Sequence, residues 1–227
     1  MVRTRKIPLF PLGVVLLPNM LLPLHIFEER YKRMIGECLA EDKPFGIVLF
    51  DGQSIRPVGC LARITRVVKR YDDGRMDILT RGGERFVVQT LLEERSYMEA
   101  RVFFFDDEPE YASQEKLKAS VRTALELLEA LEDIDTGRIA VPSGGDVDPV
   151  RLGWAVAALE GVTPDERQGF LEMTVASQRL DKCIRALSRI VKRNRLTAEI
   201  GRMIGGNGSP PKRILQALAT QSEGSGE

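Results

Sequence analysis

Short apolar runs separated by prolines and polar turns characterise the first hundred residues. Residues 14–17 and 21–26 are two such runs, and Pro11, Pro18 and Pro23 punctuate them. Proline lacks an N–H, so within sheets it is tolerated mainly at edges and strand ends. The pattern therefore predicts short edge or barrel strands, with residues 45–50 as a further short buried strand.

Residues 59–105 predict a meander of longer antiparallel strands. Turns are expected at residues 72–74, 81–84 and 93–96, because Asp-Gly and Gly-Gly supply the positive φ of tight hairpins. The whole region then contains five to seven strands, arranged as a curled sheet or pseudo-barrel.

One helix is predicted inside this β-rich region, over residues 27–39. Apolar residues recur there at i, i+4, i+7, i+8, i+11 and i+12, which is the stripe of an amphipathic helix. The stripe consists of Phe27, Tyr31, Met34, Ile35, Cys38 and Leu39. We expect it to pack against the sheet.

Beyond an acidic segment at residues 106–110 the pattern becomes helical. Residues 117–131 carry a long apolar stripe, and a last helix is expected from about Val175. Asp148 before Pro149 is typical of a helix start, and Gly161 fits the end of that helix. Residues 163–166 have the Thr-x-x-Glu pattern of a capping box.

These patterns predict an α+β protein in two parts with a tail. A β-rich pseudo-barrel with one helix occupies residues 1–107, a helical bundle residues 108–203, and a flexible tail residues 204–227. Residues 212–218 are short and amphipathic, which fits either a frayed end or a peptide that docks on a partner.

Charge and cysteine content narrow the function classes. The 33 Lys and Arg residues balance 33 Asp and Glu residues, which argues against general nucleic-acid binding. Prolines and glycines interrupt the apolar N-terminal stretch, so no membrane or signal helix is expected. The three cysteines are an odd number without a secretory leader, which favours a reducing, cytoplasmic setting.

No catalytic constellation is evident. His25 is the single histidine, and we expect it to be hydrogen-bonded at a strand end. Cys38 lies on the predicted buried stripe, and neither it nor Cys60 is expected to act as a nucleophile. Residues 106–108 are expected to be a solvated hinge rather than a cation site. We predict no catalytic residue, no cofactor and no metal ligand.

Several segments together resemble a known family. They are Ile-Pro-Leu-Phe-Pro-Leu at residues 7–12, Val-Val-Leu-Leu-Pro-Asn-Met at 14–20, Val-Gly-Cys-Leu-Ala-Arg-Ile at 58–64, Gly-Gly-Glu-Arg-Phe at 82–86, Asp-Pro-Val-Arg-Leu at 148–152 and Gln-Gly-Phe-Leu-Glu at 168–172. Over about residues 7–195 the chain resembles the N-terminal, substrate-binding domain of Lon proteases, and more distantly the Lon-like domain of cereblon. The resemblance implies a PUA-like pseudo-barrel joined to a helical bundle, with a role in recognising protein substrates.

One departure from full-length Lon stands out. The chain has no G-x-x-x-x-G-K-[ST] phosphate loop and is too short for the ATPase and peptidase modules. The expectation is a stand-alone, non-catalytic module that binds unfolded or degron-bearing proteins or peptides. A protease or chaperone is a further expected partner; nucleic acid and membranes are not expected.

Two apolar surfaces are predicted to contact partners. The first is the proline-flanked loop of Pro18, Asn19, Met20, Leu21 and Leu22, where Met20 offers a flexible side chain. A buried plug is the alternative for this loop. The second is Phe103 and Phe105, because the three successive phenylalanines at residues 103–105 alternate between faces and at least one of the three should lie outside the barrel core.

A basic face on the last helix supports a rival function. It is formed by Lys182, Arg185, Arg189, Lys192 and Arg193. This face is either plainly solvated or meets an acidic partner or RNA phosphates, which would make the chain an RNA-associated module. The N-terminal aromatics fall mostly at core periods and offer no stacking platform for RNA. An enzyme with an unrecognised site is the second rival.

Overall fold

A computed structural model describes residues 4–92, 95–131 and 147–205, with side chains to residue 203. The strands are β1 (Thr4–Leu12), β2 (Leu21–Ile26), β3 (Phe45–Phe50), β4 (Ile55–Arg70), β5 (Met76–Leu92) and β6 (Glu99–Phe105). The helices are α1 (Glu29–Ala40), α2 (Gln114–Glu129), α3 (Pro149–Ala157), α4 (Pro164–Glu172) and α5 (Ala176–Gly205). The predicted α+β class, a β-rich part followed by a helical part, is confirmed.

Five of the six strands close into a barrel, and β2 extends it. The sheet order is β2-β5-β4-β3-β1-β6, and closure follows because β6 pairs with both β1 and β5. Strand β5 divides its pairing. Residues 76–81 pair with β2 and residues 85–92 with β6, while β4 lies along its other side. Among the described strands, β1 and β3 are the one pair that runs in parallel.

A small apolar cluster fills the barrel. It comprises Ile7, Leu9, Val48, Leu61, Phe86, Ala100, Val102 and Phe104. Gly46 and Gly59 point into this space, where a Cβ would lie 2.7 and 2.5 Å from the Phe86 ring. The two glycines therefore leave room for the Phe86 ring, and a larger residue at either position would clash with it.

Helix α1 packs on the outside of the barrel, much as its apolar stripe predicts. Tyr31, Met34, Ile35 and Cys38 are buried, and the Tyr31 ring lies 4.1 Å from that of Phe10. The prediction is wrong at its first position. The helix begins at Glu29, so Phe27 lies outside it and is 60% exposed.

Two predicted features of the β-rich part are wrong. Residues 14–17 form no strand, although Val15, Leu16 and Leu17 are buried. No turn occurs at residues 81–84, because β5 runs straight through them. Gly82 is needed there for a close approach rather than for a turn, since a Cβ would lie 2.0 Å from the carbonyl oxygen of Leu17.

The helical part follows the predicted caps closely. Asp148 accepts a hydrogen bond from the Val150 N–H ahead of α3, and Thr163 and Glu166 form the capping box of α4. Gly161 has a φ of +88°, but α3 already ends at Ala157. The predicted tail, residues 204–227, falls almost wholly outside the described residues, as α5 extends to Gly205.

The two parts share one continuous apolar core, and a buried charge cluster joins them. Asp107 accepts hydrogen bonds from Arg85 (2.5 Å) and from Arg179 (3.0 and 2.5 Å). Arg179 is fully buried and lies 4.0 Å from the centre of the Trp154 ring. The expected solvated hinge is therefore wrong for Asp107. Glu110 is also engaged, since it accepts hydrogen bonds from Ser177.

Candidate functional site

An exposed aromatic end lies where β2 leads into α1. We give this name to Phe27, His25 and Tyr71. The Phe27 ring stacks on His25 with centroids 6.0 Å apart, and His25 meets Tyr71 edge-on at 5.8 Å. With 60% of its surface exposed, Phe27 is one of the most exposed large apolar side chains described. An aromatic ring so placed offers apolar contact area to a partner.

Hydrogen bonds to one carboxylate hold this end in place. Asp77 on β5 bonds His25 Nδ1 at 2.6 Å and accepts from the Tyr71 hydroxyl at 2.8 Å. The bonds from His25 and then Tyr71 hold the pKa of Asp77 below its usual value, and the Asp77 bond raises the pKa of Tyr71. The prediction of a hydrogen-bonded His25 near a strand end is confirmed.

The helix-start signal near Phe27 was present in the sequence. Glu28 and Glu29 are an acidic pair, and acidic residues favour the first turn of a helix because of its dipole. The pair indicated a start after Phe27, which would have removed that residue from the buried stripe. Phe27 is also an exception to the prediction that the N-terminal aromatic residues lie mostly in the core.

Strand β2 has one unpaired side. It pairs with β5 from Leu21 to Ile26, and no strand among residues 4–92, 95–131 and 147–205 pairs with its other side. An open edge presents backbone groups that an extended chain can use. Pro23 interrupts the edge because it has no N–H, a feature that limits uncontrolled pairing between copies.

The predicted contact loop at residues 18–22 lies beside this edge but is partly plugged into the core. Met20 is 2% exposed, so its side chain is not available to a partner, and the expectation for that residue is wrong. Its carbonyl accepts from the Gly82 N–H, and the Asn19 N–H donates to the Gly82 carbonyl. Asn19 is exposed, whereas Pro18, Leu21 and Leu22 are half-buried.

Phe103 and Phe105, the second predicted contact surface, do not lie next to that loop. Both are half-buried on β6, which pairs with the other half of β5, and the intervening Phe104 points into the barrel. The Arg85 guanidinium lies 4.6 Å from the centre of the Phe105 ring. Because Arg85 also bonds to the carbonyl of Leu171, the helical part approaches this position.

The basic face of α5 is partly neutralised within the chain. Arg189 forms two hydrogen bonds to Glu166, at 2.5 and 2.9 Å, and the pKa of Glu166 falls to about 2, chiefly through these bonds. Lys182 is half-buried with its ammonium 5.2 Å from the Phe170 ring centre. Arg185, Lys192 and Arg193 remain exposed.

Nucleophile chemistry has little support in the described residues. Cys38, Cys60 and Cys183 are all buried, and burial raises their pKa values to about 11, 12 and 12. Such thiols stay protonated at neutral pH, whereas the thiolate is the reactive form. Within the described ranges, no group of three or more His, Cys, Asp or Glu residues could hold a metal ion.

A small charged cavity of about 240 Å³ lies between α1 and the strands β1 and β6. Its charged side chains form ion pairs with one another. Lys6 pairs with Glu99 at 2.9 Å, and the Tyr97 hydroxyl donates to Glu37 at 2.6 Å. Arg95 also contacts Glu37. This cavity therefore offers internal ion pairs rather than convergent groups awaiting a substrate.

No helix among the described residues is long and apolar enough to cross a membrane.

Comparisons with known proteins show which family and which proteins this chain resembles. Residues 6–189 match the family model described as the ATP-dependent protease La (LON) substrate-binding domain. The Lon protease of Roseiflexus castenholzii is 26% identical over 194 residues, covering 81% of this chain and 24% of that protein. The Lon protease of Phenylobacterium zucineum is 28% identical over 200 residues, covering 84% of this chain and 25% of that protein. The chain thus spans about a quarter of the length of these relatives.

Solved structures show the same fold. The N-terminal domain of the Mycobacterium avium complex Lon protease has a TM-score of 0.62 at 20% identity, covering 81% of this chain and 98% of that one. A Lon N-terminal domain protein from Xanthomonas campestris has a TM-score of 0.57 at 23% identity, covering 78% and 96%.

Proposed function

The chain belongs to the family of the ATP-dependent protease La (LON) substrate-binding domain, and from this membership we propose that it binds unfolded or degron-bearing proteins through extended segments. The binding site is the free side of β2 together with the aromatic end. Because the relatives are named Lon protease, the clients are proteins on a route to proteolysis, and a protease or chaperone is the further partner.

The observation that carries this proposal is an open strand edge beside an exposed aromatic ring. Backbone pairing along Leu21–Ile26 requires no particular client sequence, which suits a receptor for many clients. Apolar contact with Phe27, 60% exposed, favours segments that a folded protein keeps buried. Together these features favour the binding of client segments that are extended and apolar.

The proposal includes no chemistry of its own. The buried thiols with raised pKa values support binding without a nucleophile. Three unpaired cysteines also support the cytoplasm as the site of action, since free thiols persist in reducing compartments.

Titration of a labelled, permanently unfolded protein with the chain tests the proposal by fluorescence anisotropy. We expect saturable binding that Phe27→Asp abolishes, because a charge replaces the apolar contact at an exposed position that folding does not need. Tyr111→Asp is the matched control. Tyr111 is 87% exposed, lies between β6 and α2, and should be dispensable for binding.

Two results would overturn the proposal. One is the absence of saturable binding at tens of micromolar chain. The other is an equal loss of affinity in the Phe27→Asp and Tyr111→Asp variants, which would mean that the aromatic end is no special contact. Circular dichroism of both variants verifies that each is folded.

A further inference from the structure

The strand registers create an ordered outward face beside the aromatic end. In antiparallel pairs, directly opposed residues point to the same side of a sheet. Three rows therefore share one side across β2, β5 and β4, and we call these nine residues the outward face. The rows are Leu21–Arg81–Arg63, Pro23–Leu79–Arg66 and His25–Asp77–Lys69.

Irregularities in β4 keep basic residues on this side. The register of β4 shifts between Ile64 and Arg66, and again between Val67 and Lys69. A regular strand would alternate sides at every residue. The shifts place Arg63, Arg66 and Lys69 on the outward face at a spacing of three, while Ile64 and Val67 pack against the core.

The outward face carries a net positive charge. Arg63, Arg66, Lys69 and Arg81 are all exposed, and they stand against the single carboxylate of Asp77. Asp77 is already engaged by His25 and Tyr71. Within the described part of the chain, the side chains of Arg66 and Arg81 have no ion pair or hydrogen bond.

The remaining cations and carboxylates nearby do not cancel this charge. Arg63 reaches Asp42 only at 3.7 Å, and both side chains are well exposed. Beside Phe27, Glu28 pairs with Arg30 at 2.8 Å and Glu29 pairs with Lys32 at 2.7 Å. The two acidic residues beside Phe27 are therefore locally balanced.

Apolar and basic positions are segregated across the face. Leu21 and Pro23 lie on β2 and Leu79 on β5, whereas the basic residues run along β4 with Arg81 beside them. Neighbouring strands are about 4.8 Å apart. An acidic side chain in a segment bound over β2 and β5 therefore lies within reach of the guanidinium groups of Arg66 and Arg81.

We infer that the site prefers extended segments in which acidic residues flank apolar ones. This inference rests on the proposed function and names the class of segment that the same site takes when a client paired at the free side of β2 continues onto the outward face. Apolar residues contact Phe27, Pro23 and Leu79, while carboxylates meet Arg66 and Arg81. Complementary charge of this kind adds specificity and speeds association.

A peptide fits these features better than a nucleic acid does. The phosphate backbone of a nucleic acid would be repelled by the Asp77 carboxylate within the outward face. It would also lie against the apolar side chains of Leu21, Pro23 and Leu79. Single-stranded nucleic acids are held by successive bases stacking on several aromatic rings. Phe27 here is already stacked on His25 on one side.

Three labelled peptides with the same apolar core test the inference. Their flanking positions carry Asp, Asn or Lys, and each is titrated with the full chain at low and high salt. We expect the Asp peptide to bind about three- to tenfold more tightly than the Asn peptide at low salt, as two exposed ion pairs would give. The difference should shrink at high salt.

Charge reversal locates the effect. Arg66→Glu combined with Arg81→Glu should remove the preference for the Asp peptide over the Asn peptide. The matched control is Arg185→Glu with Lys192→Glu, two exposed cations on α5, which should retain the preference. All four positions are exposed, so folding should persist, and thermal unfolding verifies it.

The outcomes separate this inference from the proposed function. Equal binding of the Asp and Asn peptides, still lost in Phe27→Asp, would overturn the acidic preference and keep the peptide site. Binding of none of the three peptides would overturn both. Tight binding of a uridine oligonucleotide that the Arg66 and Arg81 reversal abolishes, without an Asp preference, would overturn the inference in favour of nucleic acid.

Discussion

Two aspartate carboxylates, those of Asp77 and Asp107, each bond to two side chains, but the two clusters have different roles. Asp77 lies between His25 and Tyr71, and Asp107 lies between Arg85 and Arg179. The side chain of Asp77 is 33% exposed and that of His25 44%, whereas Arg85 and Arg179 are 5% and 0% exposed.

The difference in burial decides what each cluster does. Water screens the charges around Asp77, so its bonds orient the aromatic end with little effect on overall stability. Around Asp107 the desolvated guanidinium groups have this carboxylate as their one ion-pair partner among the described residues, and burial lowers the pKa of Arg85. One cluster therefore presents a surface and the other fastens the barrel to the helices. Strand β5 connects them, because it carries both Asp77 and Arg85.

The largest expected effect comes from breaking the buried cluster. Asp107→Asn keeps the shape of the side chain but leaves two buried cations without a counter-charge, and the free energy of unfolding should fall by about 3 kcal/mol. Urea-induced unfolding measures this change. Asp77→Asn is the matched control, for which we expect no detectable loss of stability.

A small effect in Asp107→Asn would contradict the contrast. If its unfolding free energy stayed within about 0.5 kcal/mol of the parent value, the buried cluster would be no more important for stability than the exposed one.

A second prediction concerns Gly82, which lies on β5 between Asp77 and Arg85. Gly82→Ala would place a Cβ 2.0 Å from the Leu17 carbonyl oxygen, so the loop before β2 must move. The cost should be about 2 kcal/mol, seen as a fall of about 4–8 °C in Tm. At Gly83 a Cβ would meet Leu61 at 3.7 Å, an ordinary contact.

Gly83→Ala serves as the control at the neighbouring position. It should be neutral or slightly stabilising, since glycine weakens a strand interior. Equal Tm values for the two variants would show that the approach of Leu17 to β5 is not a constraint.

The smallest predicted effect is a pH dependence at Glu166, whose side chain is 26% exposed. Arg189 and the Thr163 cap lower its pKa from 4.5 to about 2. A carboxylate with a lowered pKa in the folded state adds stability above its unfolded pKa, and this stability is lost as pH falls. The contribution should therefore be complete above about pH 5 and vanish towards pH 2.

Glu166→Gln should lower the unfolding free energy at pH 7 by no more than about 1 kcal/mol, given the solvent screening. The difference from the parent chain should disappear near pH 2, measured by urea unfolding across this range. Asp165→Asn, at the adjacent side chain that is 79% exposed, is the matched control for the loss of one surface carboxylate. A pH-independent difference at Glu166 would contradict the assignment.

The sequence predicted the helical part more accurately than the site. Asp148, Thr163 and Glu166 act through bonds within a few residues of themselves, so their caps can be deduced locally. The stripe of α1 was also readable, because a helix repeats at 3.6 residues whatever it packs against. Phe27 was misplaced because periodicity alone does not mark where that repeat begins.

The predictions about the site that were wrong concern residues whose contacts lie far away in the chain. Gly82 and Gly83 have the composition of a turn, yet β5 continues because Leu17, far earlier in the sequence, packs against Gly82. Met20 has the flexibility of a contact residue but fills the core. The family resemblance and the α+β order were both available from local motifs.

Local pattern by itself determined the α+β order, the helix caps and the likeness to Lon substrate-binding domains, because hydrogen bonds and periodicity act over a few residues. Tertiary structure alone decided that β5 pairs with both β2 and β6, that Asp107 lies between two buried arginines, and that Phe27 is exposed. Burial and strand register are set by residues far apart in the chain, and these quantities decide which side chains a partner can reach.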